Sequence, residues 1–297
     1  MRDALKMVVE GILPERATLA LDLIWKHKRR FGVLPNIRHP RTFNEKVLHR
    51  MLFDRRAILS KLADKLAARD YVEKRIGPQV LPRLLFATTD PSKIPLDELP
   101  DKFVVKPTHG SGWVTLVPDK TILDRLEFLD TCNRWLNQNY YDVDREWVYR
   151  RIKPRILVEE FISDGTGLAP TEYKPYVFNG RVEFISVTVG RFEDHAAYIY
   201  GRSWNKVHVA INSTRACGEA DRPKHLNEII EYAEILGDGI DFIRADFYDT
   251  EDRVYFGELT TTPGAGRTVF RPKEFDRDLG ELWRLPQART DGSSNSR

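Results

Sequence analysis

The 297-residue chain contains only two cysteines, Cys132 and Cys217, and neither belongs to a CxxC motif or a Cys/His cluster. A disulfide scaffold and a structural zinc site are therefore not expected, and a reducing compartment is favoured. The sequence also lacks any apolar run approaching the roughly 18–20 residues that span a membrane. The N-terminal residues are interrupted by charges and show neither the apolar core nor the cleavage site of a signal peptide. These absences predict a cytoplasmic protein without an integral membrane segment.

Neither sign of charge dominates, because Lys and Arg number 47 and Asp and Glu number 44, which gives a formal net charge of +3. Nucleic-acid binding usually requires a concentrated basic face, so no nucleic-acid partner is predicted. The basic run at 26–30 is interpreted as the solvated end of a helix, where cations meet the negative pole of the helix dipole. Leu5, Val8, Val9 and Ile12 indicate either a core-facing helix or a weak peripheral membrane contact. The sequence predicts no particular oligomeric state.

Residues 1–76 are predicted to be helical, because apolar side chains recur at intervals of three and four positions. One of these helices would begin at an N-cap formed by Thr42 or Asn44. Another would run over residues 57–74 and stop at Gly77-Pro78.

After residue 77, short β-branched segments bounded by Pro or Gly predict strands. These segments are 80–86, 102–107, 112–117, 156–162, 173–178, 181–187, 242–249 and 253–259. Asn179-Gly180 predicts a type I′ hairpin turn between two of them. Helices are predicted over 121–139, capped by Thr121, and over 223–236.

The order of these elements predicts an α+β fold with mostly antiparallel sheets grouped into two lobes. The predicted divisions are a helical N-terminal region (1–76), a small lobe (77–160), a large lobe (161–285) and a disordered tail (286–297).

A strand that ends in Lys106 is followed by a short loop rich in glycine. The loop contains His109, Gly110, Ser111 and Gly112. Glycines allow backbone N–H groups to close on a phosphate, and a lysine adds a point charge. The loop is not a Walker A motif, since no GxxxxGK[ST] occurs. It predicts either a phosphate-binding loop, with His109 in contact with phosphate, or an ordinary hairpin turn.

Asp246 and Glu258 lie on the two strands of a predicted hairpin, on one face of the sheet. Two facing carboxylates repel each other unless a cation lies between them. With the hydroxyl of Thr260 they form an oxygen-only donor set, which suits Mg²⁺ rather than zinc. Arg244 lies on the same face, so a cross-strand ion pair is the alternative interpretation.

Taken together, these motifs resemble those of the ATP-grasp superfamily. The resemblance implies an ATP-grasp fold whose two lobes clamp ATP, with Mg²⁺ as the second cofactor. It makes Lys65 and Lys106 phosphate lysines, and Lys106, Lys174 and Arg244 catalytic residues. Lys174 would face the γ-phosphate or the substrate carboxylate, and Arg244 would stabilise the transferring phosphoryl group. The residues implied to hold adenine are Glu159, Glu160, Phe161 and Ile162.

Within the superfamily, the chain looks most similar to the TupA-like ATP-grasp proteins, associated with teichuronopeptide and other bacterial surface polysaccharides. The segments that carry the likeness are 43–46, 63–65, 106–113, 139–141, 145–147, 153–161 and 256–266. The sequence departs from the superfamily pattern at Thr260, where Asn is commoner. It departs again in residues 1–76, where helices replace the more usual Rossmann-like domain, which leaves one wall of the substrate site unassigned.

The resemblance implies a carboxylate–amine ligase that forms an amide through an acylphosphate. Its small-molecule substrates would be an amino acid and a carboxylated sugar or related metabolite, in surface-polysaccharide or natural-product biosynthesis. An ATP-grasp kinase acting on a sugar-like hydroxyl is the alternative. A non-catalytic ATP-binding scaffold is disfavoured, because such a protein has no need of paired metal carboxylates. No catalytic base is evident, and Arg191, His195 and Arg267 are candidate substrate contacts.

Overall fold

A computed structural model describes residues 14–165, 169–191, 195–212 and 218–286. The apolar stripe from Leu5 to Ile12, Cys217 and nearly all of the predicted tail lie outside these residues. None of the helices in the described ranges is long and apolar enough to cross a membrane.

The described ranges contain eight α-helices: α1 (Glu15–Phe31), α2 (Phe43–Phe53), α3 (Ala57–Ala63), α4 (Lys65–Ile76), α5 (Arg125–Asn137), α6 (Tyr141–Asp144), α7 (Leu226–Gly237) and α8 (Glu274–Leu282). They also contain twelve strands: β1 (Leu84–Thr88), β2 (Phe103–Pro107), β3 (Thr115–Val117), β4 (Ile156–Glu160), β5 (Glu172–Phe178), β6 (Arg181–Val189), β7 (Ala196–Gly201), β8 (Lys206–Val207), β9 (Ala210–Ile211), β10 (Phe242–Asp249), β11 (Val254–Thr260) and β12 (Phe270–Arg271).

The strands form two main sheets, and the neighbouring strands in both are antiparallel. The four-stranded sheet has the order β1-β4-β2-β3, and the six-stranded sheet has the order β11-β10-β5-β6-β7-β8. Strands β9 and β12 pair separately. The predicted α+β fold with antiparallel sheets in two lobes is thus confirmed, while the lobe boundaries near residues 77 and 161 stay predictions.

Local sequence determines several of the turns and caps. Asn179 and Gly180 both have positive φ, at 50° and 82°, as the predicted type I′ turn between β5 and β6 requires. Thr42 is the N-cap of α2 and forms a capping box with Glu45, whereas Asn44 lies inside the helix.

Two helix predictions need correction. The single helix predicted over 57–74 is divided into α3 and α4 at Asp64, whose backbone is extended and whose carboxylate accepts the N–H groups of Leu66 and Ala67. The helix predicted from Thr121 begins instead at Arg125, capped in the same way by Asp124. In both cases an aspartate satisfies the unpaired N–H groups of a first helical turn.

Helices cover both faces of the six-stranded sheet. One hydrophobic cluster joins Val72 of α4 to Ile185 of β6, and a second joins Phe43 of α2 and Trp283 to Phe184 of β6. Adjacent residues of a strand point to opposite faces, so these clusters lie on the two sides of the sheet. Helices α2 and α4 are therefore packed on opposite faces of the six-stranded sheet.

Candidate active site

A cleft lies between the four-stranded sheet and the β10–β11 hairpin, and it encloses about 850 Å³ of space including its open mouth. Val104, Leu116 and Ile162 contribute apolar surface. The charged side chains that line the cleft are Lys65, Lys106, Glu159, Glu160, Glu172, Arg191 and Glu258. An apolar wall with a few convergent polar groups is typical of a small-molecule site.

Lys65 begins α4 and contacts the glycine-rich loop. Its backbone N–H donates to the carbonyl of Thr108 at 3.1 Å, and its Nζ donates to the carbonyl of Gly110. A Cβ at Gly110 would lie 2.5 Å from the Trp113 ring, and Gly112 has a φ of +73°, so both positions favour glycine. The structure thus brings the first predicted phosphate lysine to the predicted phosphate loop.

The predicted adenine strand is β4. Glu159 on this strand binds two cations, with Oε2 at 2.6 Å from Nζ of Lys106 and Oε1 at 2.8 Å from Nη1 of Arg69. Oε1 of Glu160 accepts the backbone N–H of Arg83 at 2.7 Å. All four predicted adenine-contacting residues, Glu159, Glu160, Phe161 and Ile162, line the cleft.

The two predicted metal carboxylates face each other, because Asp246 of β10 is the register partner of Glu258 of β11. Nε and Nη2 of Arg244 each lie 2.6 Å from a carboxylate oxygen of Asp246, and Nη2 lies 3.2 Å from Oε1 of Glu258. The hydroxyl of Thr260 donates to the same Oε1 at 3.4 Å. The ion pair and the carboxylate pair are therefore parts of one cluster.

Burial and nearby positive charges act in opposite directions on the pKa values of the two carboxylates. Burial alone would raise the pKa of Glu258, but four cations lower it to about 2. In decreasing order of effect, these cations are Lys65, Arg244, Arg191 and Lys174. Burial raises the pKa of Asp246, an effect that Arg244 opposes. Such a concentration of cations at a partly enclosed cleft attracts polyanionic ligands.

Glu172 is a site residue that the sequence analysis missed. Its Oε2 accepts from Nζ of Lys174 at 2.6 Å and its Oε1 accepts from Nη1 of Arg191 at 2.5 Å. Burial alone would raise the pKa of Glu172, but these two cations lower it overall. Two candidate cations thus share one buried carboxylate. Glu172 could have been found from the sequence, because it lies two residues before Lys174 of a predicted strand and therefore on the same face of the sheet.

Arg69 was also missed, although it lies one helical turn after Lys65. His195 lies near Lys174 and Arg191, and burial together with these cations lowers its pKa. The sequence-predicted residues Lys174, Arg191 and His195 are therefore close to one another.

Two other candidates are placed differently. The ring of His109 is only 1% exposed, and its Nε2 lies 2.9 Å from the carbonyl of Trp135 at the end of α5. This placement argues against the predicted phosphate contact. The guanidinium of Arg267 donates a hydrogen bond to the carboxylate of Asp144, the last residue of α6.

The donor chemistry of the carboxylate cluster fits a magnesium ion. Within the described parts of the chain, no group of three or more His, Cys, Asp or Glu side chains could hold a metal by itself. Mg²⁺ in proteins commonly takes one or two carboxylates and completes its shell with substrate phosphates and water. Asp246, Glu258 and Thr260 match this pattern, in which a phosphate ligand would complete the shell of the ion.

A family model described as TupA-like ATPgrasp matches residues 45–284. No curated protein matches the sequence.

Solved structures with a similar fold include a D-alanine–D-alanine ligase from Bacillus anthracis complexed with ATP, which is 17% identical with a TM-score of 0.43. A second is the ADP complex of N5-carboxyaminoimidazole ribonucleotide synthetase, with 16% sequence identity and a TM-score of 0.43. A third is the ATP-grasp ligase PsnB complexed with a precursor variant, Mg and ADP, with 14% sequence identity and a TM-score of 0.41. The matches cover 70%, 69% and 75% of this chain and 58%, 46% and 58% of those chains, respectively. The chain therefore spans less than two thirds of each structure.

Proposed function

Because the chain belongs to the TupA-like ATP-grasp family, we propose that it is an ATP-dependent carboxylate–amine ligase that forms an amide through an acylphosphate. One observation carries the proposal. The in-register carboxylates Asp246 and Glu258 both contact Arg244, and they lie beside a cleft whose lining includes Lys65, Lys106 and Arg191. Such a site can bind a polyphosphate and a metal together. The enzyme would act in the cytoplasm on an amino acid and a carboxylated sugar or related metabolite of surface-polysaccharide or natural-product biosynthesis.

In this proposal, the small lobe holds the nucleotide. Val104 and Leu116 provide an apolar surface for adenine opposite the β4 segment that ends at Ile162. Lys65 and Lys106 neutralise phosphate oxygens, and the loop from Gly110 to Gly112 approaches them with its backbone. When bound at Asp246, Glu258 and Thr260, Mg²⁺ supplies further neutralisation of phosphate charge.

The chemistry is two displacements. A carboxylate oxygen of the first substrate attacks the γ-phosphorus, and the bond from that phosphorus to the bridging oxygen breaks to release ADP. The amine of the second substrate then attacks the acyl carbon, loses a proton and expels inorganic phosphate. Arg244 stabilises the transferring phosphoryl group and the later oxyanion, while Lys174 and Arg191 hold the substrate carboxylate.

The test begins with a screen for ADP release, in which amino acids are paired with carboxylated sugars. The carboxylate of an active pair is then labelled with a heavy oxygen isotope. A ligase transfers one labelled oxygen into inorganic phosphate, because phosphate leaves with the oxygen through which it was joined to the acyl group. Phosphate retained on the product would instead show a kinase.

A further inference from the structure

The positive charge of the chain is concentrated in one short segment. Residues 23–44 contain six Lys or Arg residues and no Asp or Glu. These cations are Lys26, Lys28, Arg29, Arg30, Arg38 and Arg41. In the rest of the chain, 41 Lys and Arg residues are outnumbered by 44 Asp and Glu residues. The net positive charge of the protein is therefore due to this segment.

Helix α1 begins within the preceding residues and has one buried face. Leu19, Leu23 and His27 are buried, and the two leucines belong to the hydrophobic cluster that contains α2. The opposite face exposes Leu21 and Trp25, one turn apart, at 51% and 49%. Helical geometry places Lys28 and Arg29 one turn beyond Trp25 on this exposed face.

The exposed apolar surface continues past the end of the helix. Gly32, with a φ of 78°, terminates α1, and the next two residues, Val33 and Leu34, are 60% and 66% exposed. Between these two apolar pairs, the guanidinium of Arg29 lies over the Trp25 ring at 5.4 Å. Two exposed cations thus lie between two pairs of large exposed apolar side chains, along the end of α1 and the residues that follow it.

The interpretation of the basic run as a solvated helix end explains only part of this arrangement. Lys26 is bound to Asp22 and to the carbonyl of Val143, and Arg30 donates to Asn212, so these two cations have partners within the protein. Favourable contact with the helix dipole accounts for the position of Lys28 and Arg29. The helix dipole does not explain why a half-exposed tryptophan and three exposed aliphatic side chains lie beside these two cations. A cluster of exposed apolar side chains is typical of an interaction site.

We propose that Leu21, Trp25, Lys28, Arg29, Val33 and Leu34, here called the α1 surface, bind the anionic face of a lipid membrane. A helix that presents Trp and Leu beside Lys and Arg lies in the membrane interface, where its apolar side chains enter the acyl boundary and its cations contact phosphate headgroups. A nucleic acid would match the charge but not the aliphatic side chains. None of these six residues lines the cleft, so lipid binding by the α1 surface does not depend on the chemistry proposed for the cleft.

Sedimentation of the full chain with lipid vesicles tests this surface. We expect binding to vesicles of phosphatidylcholine mixed with phosphatidylglycerol, and much weaker binding to vesicles of phosphatidylcholine alone. Each cation near an anionic surface contributes roughly fivefold in partitioning, so Lys28→Glu with Arg29→Glu should weaken binding by more than tenfold. Leu21→Ser with Trp25→Ser should weaken binding to a similar extent.

Matched variants serve as controls. Ile122→Ser with Leu126→Ser removes two apolar side chains that are 78% and 81% exposed elsewhere. Arg134→Glu with Arg277→Glu reverses two cations on α5 and α8 whose side chains are 56% and 68% exposed. Both control variants should bind vesicles as the parent does. Thermal melting by circular dichroism establishes that each variant folds.

The conservative variant Trp25→Phe gives a second readout that does not require loss of binding. The parent should show a blue shift of tryptophan fluorescence when anionic vesicles are added, and Trp25→Phe should lose most of that shift while still sedimenting. The proposal is overturned if anionic vesicles are not bound, or if the control variants lose binding as much as the α1 variants do. Self-association abolished by Leu21→Ser with Trp25→Ser would assign the surface to a second copy of the chain. Salt-sensitive binding of a DNA or RNA duplex without vesicle binding would assign it to nucleic acid.

Discussion

Among single residues, Glu258 is the one on which the charges of the cleft converge. It is the register partner of Asp246, and four cations lower its pKa to about 2. Glu258→Gln keeps the shape but removes the charge, so we expect ADP release with substrates to fall by several orders of magnitude while the protein remains folded. Glu251→Gln is the matched control, because Glu251 is bound to Lys224 near the tip of the same hairpin and its side chain is 86% exposed. Near-normal ADP release by Glu258→Gln would show that the metal assignment is wrong.

Glu172 provides a second prediction for a single residue. Because its carboxylate binds both Lys174 and Arg191, Glu172→Gln should leave these two cations misplaced in the cleft. A shift of about 1 Å in a catalytic group can cost roughly a hundredfold, so we expect kcat to fall by about ten- to a hundredfold. Steady-state kinetics measure the effect. Glu234→Gln, which disturbs the pair between α7 and Arg202 in the turn after β7, should leave kcat unchanged. An equal loss there would indicate a general weakening of the fold.

The residues of the cleft differ in how far the sequence could predict them. Asp246 and Glu258 could be placed on neighbouring strands in advance, but their direct pairing could not, because it depends on a β-bulge between Asp246 and Phe247. The surroundings of His109 could not be predicted, because they depend on where α5 ends and presents the carbonyl of Trp135. Contacts within a hairpin follow from local rules, whereas contacts with a distant helix depend on tertiary packing.

Among the helices and strands, the break between α3 and α4 has the most direct effect on the cleft. The uninterrupted pattern over 57–74 predicted one helix, but Asp64 caps a new helix and the N–H of Lys65 donates to Thr108. The capping of backbone N–H groups by the Asp64 carboxylate is a local effect. The hydrogen bond from Lys65 to Thr108 is not local, because Thr108 lies in the loop after β2. The hairpins β5–β6 and β10–β11 needed no such partner and were predicted correctly.

The cap at Asp64 leads to a prediction about ATP binding. Asp64→Ala should destabilise the fold by about 1 kcal/mol and raise the KM for ATP, since the first turn of α4 positions Lys65. Asp124→Ala is a matched control, because Asp124 caps α5 through the same two kinds of contact. Urea denaturation should show similar losses in both variants, and only Asp64→Ala should change the KM. Asp64→Asn, which retains a capping oxygen, should restore much of the stability. Equal KM values for ATP in the two alanine variants would contradict the role of the Asp64 cap in positioning Lys65.

For the whole molecule, Asp241 connects parts of the chain that are far apart in sequence. Its carboxylate lies 2.6 Å from Nη2 of the fully buried Arg50, 2.5 Å from Nη2 of Arg56 and 2.6 Å from Nε1 of Trp283. Arg50 also donates to the carbonyls of Phe242 and Thr261. Through these contacts the N-terminal helices, the start of β10 and the C-terminal segment form one unit. None of this was evident from sequence patterns, since each contact joins residues from different elements.

The charge state of Asp241 should therefore affect the stability of the whole fold in a pH-dependent way. Burial alone would raise the pKa of its carboxyl group, but Arg50 and Arg56 lower it below the ordinary value of 3.8. A depressed folded-state pKa contributes stability that is present above that ordinary value and is lost as the pH falls through the folded pKa. Asp241→Asn, which leaves Arg50 without its main partner, should cost about 3–5 kcal/mol at neutral pH. Urea denaturation at decreasing pH should show the parent and the variant converging in acid. Asp97→Asn, which removes an exposed pair with Arg125, should have the same free energy of unfolding as the parent at each pH. If the free energies of unfolding of the parent and Asp241→Asn instead differ by a constant amount across the whole pH range, the hydrogen-bond geometry of Asp241, rather than its charge, stabilises the fold.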